Sequence, residues 1–306
     1  MALSDATRDL TDIVAAVRRP QAWRYNRGEG ALVAVVESEG DHADMVQSIL
    51  AAGAPGCRIV RMAPPPHPHP HADSTVLAAE ATLAVLEQLA ALAREQGQLV
   101  IANLSWEVSL DDLALPCSNQ VASLVRQLSQ EGLVLTCWAA GNSGPAPSST
   151  ALAGFCCTNS TPWSVSVGAL DRRGRPQPYS SALGRCSPLH PTVSAPTYGM
   201  VPYGGAYQDM GETGGYTSAC VPLVSAALAI MMTQWPGWRC QDYRAALRAS
   251  AKPVGLPRPL THPAAGWGLL QADRAVAAVP LARAHPSWLL EGLVLAPLSG
   301  VGPPAR

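Results

Sequence analysis

The chain of 306 residues contains a single phenylalanine, and only 14% of its residues are charged. Lysine and arginine number 21 against 22 aspartates and glutamates, which gives a formal net charge of -1. Nucleic acid is therefore not expected as a partner, because binding to phosphates requires an excess of positive charge. With 48% hydrophobic residues, the chain can nevertheless bury a large core.

Long hydrophobic runs are also missing. None reaches the roughly 18 residues that a membrane-spanning helix needs, and the longest candidate, residues 288–298, contains Glu291. The N-terminal residues lack the charged-then-apolar pattern of a signal peptide. Eight cysteines without such a signal predict reduced thiols in a cytoplasmic protein. No CxxC pair occurs, so we expect no structural metal and no cofactor.

Apolar runs typical of buried strands alternate with helical patterns along the chain. Strands are predicted at residues 31–36, 58–62, 99–104, 133–139 and 163–167. Helices are predicted at residues 9–19, 42–52, 74–94, 119–131 and 241–250, and after Gly215. This order predicts an α/β fold with a central, mostly parallel sheet flanked by helices. Ligands of such sheets bind beyond the carboxyl ends of the strands, which directs attention to the residues there.

The segment from Gly215 to Pro222 joins a glycine-rich turn to a helix of small apolar residues. It places Ser218 in the first turn of that helix, where the helix dipole favours negative charge. A serine at this position is either an N-cap or, with a base within reach, a nucleophile. The segment alone leaves both interpretations open.

Four segments, in the same order along the chain, resemble those of the subtilisin-like serine peptidases. They are VAVVES (33–38), HADMVQSIL (42–50), AAGNSG (139–144) and YTSACVPLVSAALAIM (216–231). Supporting matches are ANLSWE (102–107), SVSVGALD (164–171), PYSSALG (178–184), SAP (194–196) and GWGLLQADRAV (266–276). The resemblance implies the three-layer subtilisin-like fold. It also implies that the chain is an enzyme, a serine peptidase.

The resemblance assigns a role to each catalytic segment. Ser218 is expected to attack the scissile carbonyl, and His42 to take its proton and return it to the leaving amine. Asn142 is expected to donate its side-chain N–H to the oxyanion, helped by backbone N–H groups at the start of the serine helix.

The acid departs from the family pattern. The family normally has Asp, whereas the matching strand ends here in Glu37, and Glu39 and Asp41 are nearby alternatives. Asp41 is adjacent to His42, which makes a contact with Nδ1 awkward, so we predict Glu37. Only residues 38–41 lie between acid and histidine, where family members usually insert a few tens of residues. Four extended residues span up to about 13 Å, so the contact is possible.

Substrate contacts are implied by the same resemblance. In the family, the segment matching Ser105, Trp106 and Glu107 pairs with the substrate backbone as an added strand. Glycine commonly stands at the position of Glu107. Its carboxylate either narrows the first specificity pocket, attracts a basic side chain, or is a rim charge in water. The other residues predicted to contact substrate are Ala140, Gly141, Thr217 and Tyr216, which replaces a usual glycine.

Three regions are predicted: an N-terminal helical extension at residues 1–27, a peptidase domain at 28–279 and a tail at 280–306. The tail is a candidate surface for a partner protein. The loop PPPHPHPH (64–71) is predicted to be an extended polyproline rim of the cleft. A metal site at His67, His69 and His71 is the alternative.

We therefore predict an intracellular serine endopeptidase that cleaves a specific peptide or precursor through an acyl-enzyme, with a Ser-His-Glu triad. The PLVSAALAI run also resembles cyanobactin-type proteases, which trim ribosomal precursor peptides during natural-product maturation. One alternative is a catalytically impaired peptide-binding protein. The other is a peptidyl transferase or macrocyclase that uses the same acyl-enzyme.

Overall fold

A six-stranded parallel sheet forms the centre of the fold. The computed structural model describes residues 12–64, 76–77, 79–108, 120–142, 144, 163–182, 191–203, 206–258 and 260–277. The strands of the sheet are β1 Leu32–Val36, β2 Arg58–Met62, β4 Val100–Leu104, β6 Val134–Ala139, β7 Val165–Leu170 and β8 Val193–Pro196. They lie side by side in the order β2-β1-β4-β6-β7-β8. Short pairs β3 (Val76–Leu77) with β5 (Glu107–Val108) and β9 (Met200–Tyr203) with β10 (Ala206–Asp209) complete the strands of the described residues.

Helices cover both faces of this sheet. They are α1 Arg19–Ala22, α2 Asp41–Gly53, α3 Ala79–Gln96, α4 Gln120–Gln130, α5 Tyr216–Gln234, α6 Cys240–Ser250 and α7 Ala272–Ala277. Strand β1 shows why two layers are needed, since all five of its residues are buried. Val33 and Val35 face the core with α2 and α5, whereas Leu32, Ala34 and Val36 face α3 and α4. The predicted three-layer α/β fold is confirmed.

Most predicted elements agree with the structure to within a few residues at each end. The helix predicted at residues 9–19 is wrong as one continuous helix. Residues 12–16 are helical, but the chain turns at Arg18, whose φ of 58° is left-handed, before α1 begins. The start of the helix predicted at 74–94 is also wrong, because Val76 and Leu77 form β3. Strand β8 and the hairpin β9–β10 were not predicted.

The N-terminal residues pack into the same core as the sheet. The Arg19 side chain is fully buried and donates to the carbonyls of Gly53 and Leu223. Burial lowers the pKa of this guanidinium to about 9, although the nearby Cys57 thiol acts in the opposite direction. The neighbouring Arg18 forms three hydrogen bonds of 2.7–2.9 Å with the Asp273 carboxylate. The described part of the predicted extension is thus tied to the body, and the predicted region boundaries stay predictions.

Against the expectation that no apolar stretch is long enough to span a membrane, Gly211–Gln234 among the described residues meets that criterion by length and composition. It contains α5, and 94% of its most apolar window is buried inside the protein. The predicted polyproline rim, except Pro64, and the predicted C-terminal tail lie outside the described residues.

Candidate active site

The carboxyl ends of three neighbouring strands bring the predicted catalytic residues together. Glu37 follows β1, Ser105 follows β4 and Asn142 lies three residues after β6. The first turn of α5 packs against this edge and carries Ser218. The site therefore lies beyond the carboxyl ends of the strands, where ligands of parallel sheets commonly bind.

The main chain before Glu37 is held on two sides. The Glu37 N–H donates to the Met62 carbonyl at 3.0 Å, which extends the β1–β2 ladder by one residue. The indole Nε1 of Trp106 donates to the Val36 carbonyl at 2.9 Å. The Trp106 ring is itself fixed against Trp138, with the ring centroids 5.0 Å apart in an edge-to-face arrangement. The acid thus begins from a rigid strand end.

Glu37 and His42 form a short side-chain contact. His42 is the second residue of α2, and its Nδ1 lies 3.1 Å from Glu37 Oε2. The Glu37 side chain is 8% exposed, and that of His42 is 26% exposed. Gly40, with a φ of 133°, lets the chain turn between the two residues. The carboxylate is positioned to hold the imidazole with Nε2 directed away from it.

The two alternative acids are placed differently. Glu39 and Asp41 are both exposed at the surface. Among the described residues, Glu37 supplies the one carboxylate that forms an ion pair or hydrogen bond with His42. The second oxygen of Glu37, Oε1, is buried and has no hydrogen-bond partner within the described part of the chain.

Ser218 and Ser105 exchange two hydrogen bonds. The Ser218 hydroxyl donates to the Ser105 carbonyl at 2.8 Å, and the Ser105 hydroxyl donates to the Ser218 carbonyl at 3.1 Å. Ser218 is 6% exposed, so neighbouring residues surround it on nearly all sides. In this arrangement the Ser218 hydroxyl donates to a main-chain carbonyl and not to His42, so its proton must be redirected before the imidazole can accept it.

The orientation of the Asn142 amide follows from its partners. Its Oδ1 accepts from the Thr217 N–H at 3.1 Å and from the Thr217 hydroxyl at 2.8 Å. A backbone N–H can only donate, so the amide oxygen must face Thr217. The NH₂ group then points away from Thr217, and Asn142 is exposed. An exposed amide donor held by the residue before Ser218 is suited to an oxyanion.

A tight turn leads into α5. The Gly215 N–H donates to the Thr197 hydroxyl at 2.9 Å. Tyr216 has a φ of 56°, a left-handed conformation that is uncommon for a residue with a side chain. The residue is 41% exposed, and its ring meets the Tyr179 ring edge-to-face with the centroids 4.9 Å apart. Tyr216 therefore presents an aromatic wall two residues before Ser218.

The residues predicted to contact substrate are partly inside the protein. The Trp106 side chain is 3% exposed and packs in the core, so any contact it makes with a peptide is through its main chain. Glu107 belongs to β5 and pairs with Val76 of β3. Ala140 and Gly141 are buried, and their main chains bond to Val167 and Ser181. That these residues bind substrate stays a prediction.

Sequence reasoning missed two polar residues beneath the site. Asn103 lies in the fully buried strand β4, and Ser225 lies in the buried middle of α5. Both are completely buried and bonded to each other, from Ser225 Oγ to Asn103 Oδ1, at 2.9 Å. Polar residues inside long apolar runs are the signal that could have found them, since buried polar groups require partners.

No group of three or more metal-ligating side chains occurs within the described ranges. The three histidines of the predicted alternative metal site, His67, His69 and His71, lie outside them.

Comparison with known proteins places these features in a family. The model of the Subtilase family matches residues 7–268. A search of curated proteins found no match. Among solved structures, the chain is similar to the prenylagaramide maturation protease PagA, with 21% identity, a TM-score of 0.62, and coverage of 84% of this chain and 97% of that one.

Two further structures show the same likeness. A lanthipeptide protease has 14% identity and a TM-score of 0.64 over 90% of this chain and 96% of its own. The MycP3 protease from the type VII (ESX-3) secretion system has 19% identity and a TM-score of 0.60 over 86% of each chain. At these identities the likeness shows the shared fold. With the family match covering most of its length, the chain belongs to the subtilase family and is a subtilisin-like serine peptidase.

Proposed function

We propose that this peptidase cleaves a specific peptide or precursor through an acyl-enzyme, with Ser218, His42 and Glu37 as its triad. The observation that carries the proposal is the 3.1 Å contact between Glu37 Oε2 and His42 Nδ1, made by a nearly buried carboxylate. The Glu37 side chain reaches His42 across a linker of four residues, 38–41.

Acylation begins when the Ser218 hydroxyl rotates from the Ser105 carbonyl towards His42. His42 Nε2 accepts the hydroxyl proton while Oγ forms a bond to the scissile carbonyl carbon. Glu37 stabilises the imidazolium that results, and the Asn142 amide donates to the developing oxyanion. The imidazolium then gives its proton to the leaving amine as the C–N bond breaks, and a water molecule repeats the sequence to release the acid.

Asn142 carries much of the electrostatic work in this scheme. Loss of one oxyanion donor typically slows acyl transfer by about 10²–10³-fold. Its amide is held by two hydrogen bonds from Thr217, so the donor is in place before the charge develops. Preorganisation of this kind is what makes such donors effective.

We propose a peptide precursor as the substrate class. Two structures that share the fold are described as a prenylagaramide maturation protease and a lanthipeptide protease, which supports a processing role. The exposed Tyr216 ring beside Ser218 supports a narrow specificity, because it adds an aromatic surface where the family usually has glycine. Sequencing the cleavage products of a diverse peptide library should give one dominant site motif, whereas cleavage without preference would contradict this proposal.

An intracellular setting is part of the same proposal. The four cysteines within the described ranges, Cys57, Cys137, Cys220 and Cys240, are free thiols, which supports a reducing compartment. Fractionation of the source cells tests it, and recovery of the protein outside the cell would contradict it.

The test of the nucleophile is labelling with a fluorophosphonate, read by intact mass and peptide mapping. We expect one stoichiometric adduct on Ser218 and none in Ser218→Ala. Ser48→Ala is the matched control, because Ser48 is an exposed serine on α2, six residues after His42. It should label as fast as the wild type, and an adduct on any other residue would contradict the assignment.

A catalytically impaired peptide-binding protein is the second candidate. The hydrogen bond from the Ser218 hydroxyl to the Ser105 carbonyl favours it, because a nucleophile bonded there is not bonded to its base. No adduct on a protein whose circular dichroism shows it to be folded would favour this candidate over the peptidase.

A further inference from the structure

Helix α5 lacks one of its main-chain hydrogen bonds, the one that the Ser218 carbonyl would accept. Pro222 lies inside α5, four residues after Ser218. In a regular α-helix, the N–H of residue 222 would donate to the carbonyl of residue 218. Proline has no N–H, so the Ser218 carbonyl loses its helical partner. A buried carbonyl in this position needs a donor from elsewhere.

Ser105 supplies that donor. Its hydroxyl reaches the Ser218 carbonyl at 3.1 Å from the end of β4. Asn103 Nδ2 donates to the Ser105 hydroxyl at 2.9 Å, and the Ser225 hydroxyl donates to Asn103 Oδ1 at 2.9 Å. Asn103, Ser105 and Ser225 have no exposed surface. The chain of bonds therefore runs from the middle of α5 through β4 and back to the start of α5.

The direction of every bond in this chain is fixed by its end. The Ser218 carbonyl can only accept, so the Ser105 hydroxyl must donate to it. The Ser105 oxygen then accepts from the Asn103 NH₂ group, which leaves Asn103 Oδ1 to accept from Ser225. Hydrogen bonds aligned head to tail polarise and strengthen one another. Because each of these hydrogen bonds has only one possible direction, they favour a single arrangement of the three side chains.

We propose that Ser105, supported by Asn103 and Ser225, is a positioning residue that replaces the N–H missing at Pro222 and fixes the main chain of Ser218 for attack. The proposal rests on Ser218 being the nucleophile. Ser105 acts here through its side chain, which is distinct from the predicted pairing of its main chain with substrate. In the same reciprocal contact, the Ser218 hydroxyl donates to the Ser105 carbonyl at 2.8 Å.

Rates of fluorophosphonate labelling at saturating probe test this role. Ser105→Ala should label Ser218 about ten-fold more slowly, the fold-change expected when one buried acceptor loses its hydrogen bond. Ser194→Ala is the matched control, because the Ser194 hydroxyl is equally buried and has no partner within the described ranges. It should label at the wild-type rate.

Rescue distinguishes positioning from a general loss of stability. Pro222→Ala restores an N–H four residues after Ser218, so combining it with Ser105→Ala should recover much of the labelling rate. If Ser105 contributed only to stability, Ser105→Ala would lower the melting temperature and adding Pro222→Ala would not restore the labelling rate. The proposal is overturned if Ser105→Ala labels as fast as the wild type, or if the double variant labels more slowly than Ser105→Ala alone. Failure of the wild type to label would instead overturn the proposed function.

Discussion

At the scale of single residues, the site differs from the usual family pattern at Glu37 and at Tyr216, and the backbone of Tyr216 is strained. Glu37 is longer than the usual aspartate, and a rigid strand end held by Trp106 and Met62 sets where its carboxylate reaches. Tyr216 instead takes a left-handed backbone conformation at a position where the family usually has glycine. The Tyr216 ring packs edge-to-face on Tyr179, a contact that glycine could not make.

We predict that the usual helix ranking of alanine over glycine is reversed at Tyr216. Alanine is normally favoured by about 1 kcal/mol inside a helix. At a φ of 56°, a side chain costs about 1–2 kcal/mol, and glycine avoids this cost. Tyr216→Gly should therefore be more stable than Tyr216→Ala in urea unfolding.

Ser48 provides the control for this comparison, because it is exposed in the middle of α2. At this position Ser48→Ala should be more stable than Ser48→Gly. The same ranking at both positions would show that Tyr216 is not held in the left-handed conformation in solution.

At the scale of elements, the turn before α5 determines where this helix begins and so where Ser218 lies. Gly214 has a φ of 56°, and a Cβ there would lie 2.2 Å from Thr197 Oγ1 and 2.4 Å from the Tyr198 nitrogen. Only glycine lets the turn come this close to the segment after β8. The approach brings the Thr197 hydroxyl to the Gly215 N–H, so β8 and α5 are fixed together at the site.

Gly214→Ala should destabilise the protein and slow the labelling of Ser218. Gly211→Ala is the matched control, since Gly211 has a φ of 59° but no atom within 4 Å of an added Cβ. In both variants the left-handed conformation destabilises the protein by about 1–2 kcal/mol. Overpacking destabilises Gly214→Ala further, typically by about 1–3 kcal/mol. Thermal unfolding measures the difference, and equal losses would mean that the close approach is absent.

At the scale of the whole molecule, the sequence predicts the layers well because buried parallel strands are continuous apolar runs. Strands β1, β4 and β6 and helices α2 and α5 follow from such runs or from helical periodicity. Strand β8 has only four residues, among them Ser194 and Pro196, and its place is set by pairing with β7. A pattern of single residues cannot show such a pairing.

The candidate site divides in the same way. Glu37, His42, Asn142 and Ser218 follow from the order of the motifs along the chain, and the structure brings them to one sheet edge. The support beneath them does not follow from the motifs, because its partners are far apart in sequence. Asn103 and Ser225 are 122 residues apart, and Ser105 and Ser218 are 113 apart. Arg19 likewise reaches Leu223 over 204 residues.

The most direct test of this account is the rate at which Ser218 reacts with a fluorophosphonate in Glu37→Gln and in Asp41→Asn. Glutamine keeps the size of Glu37 but cannot stabilise an imidazolium, and the loss of the acid in such triads costs about 10⁴-fold. Asp41→Asn removes an exposed carboxylate one residue from His42 and should react at nearly the wild-type rate. The account predicts a loss confined to Glu37→Gln. A Glu37→Gln protein that reacts as fast as the wild type would contradict it.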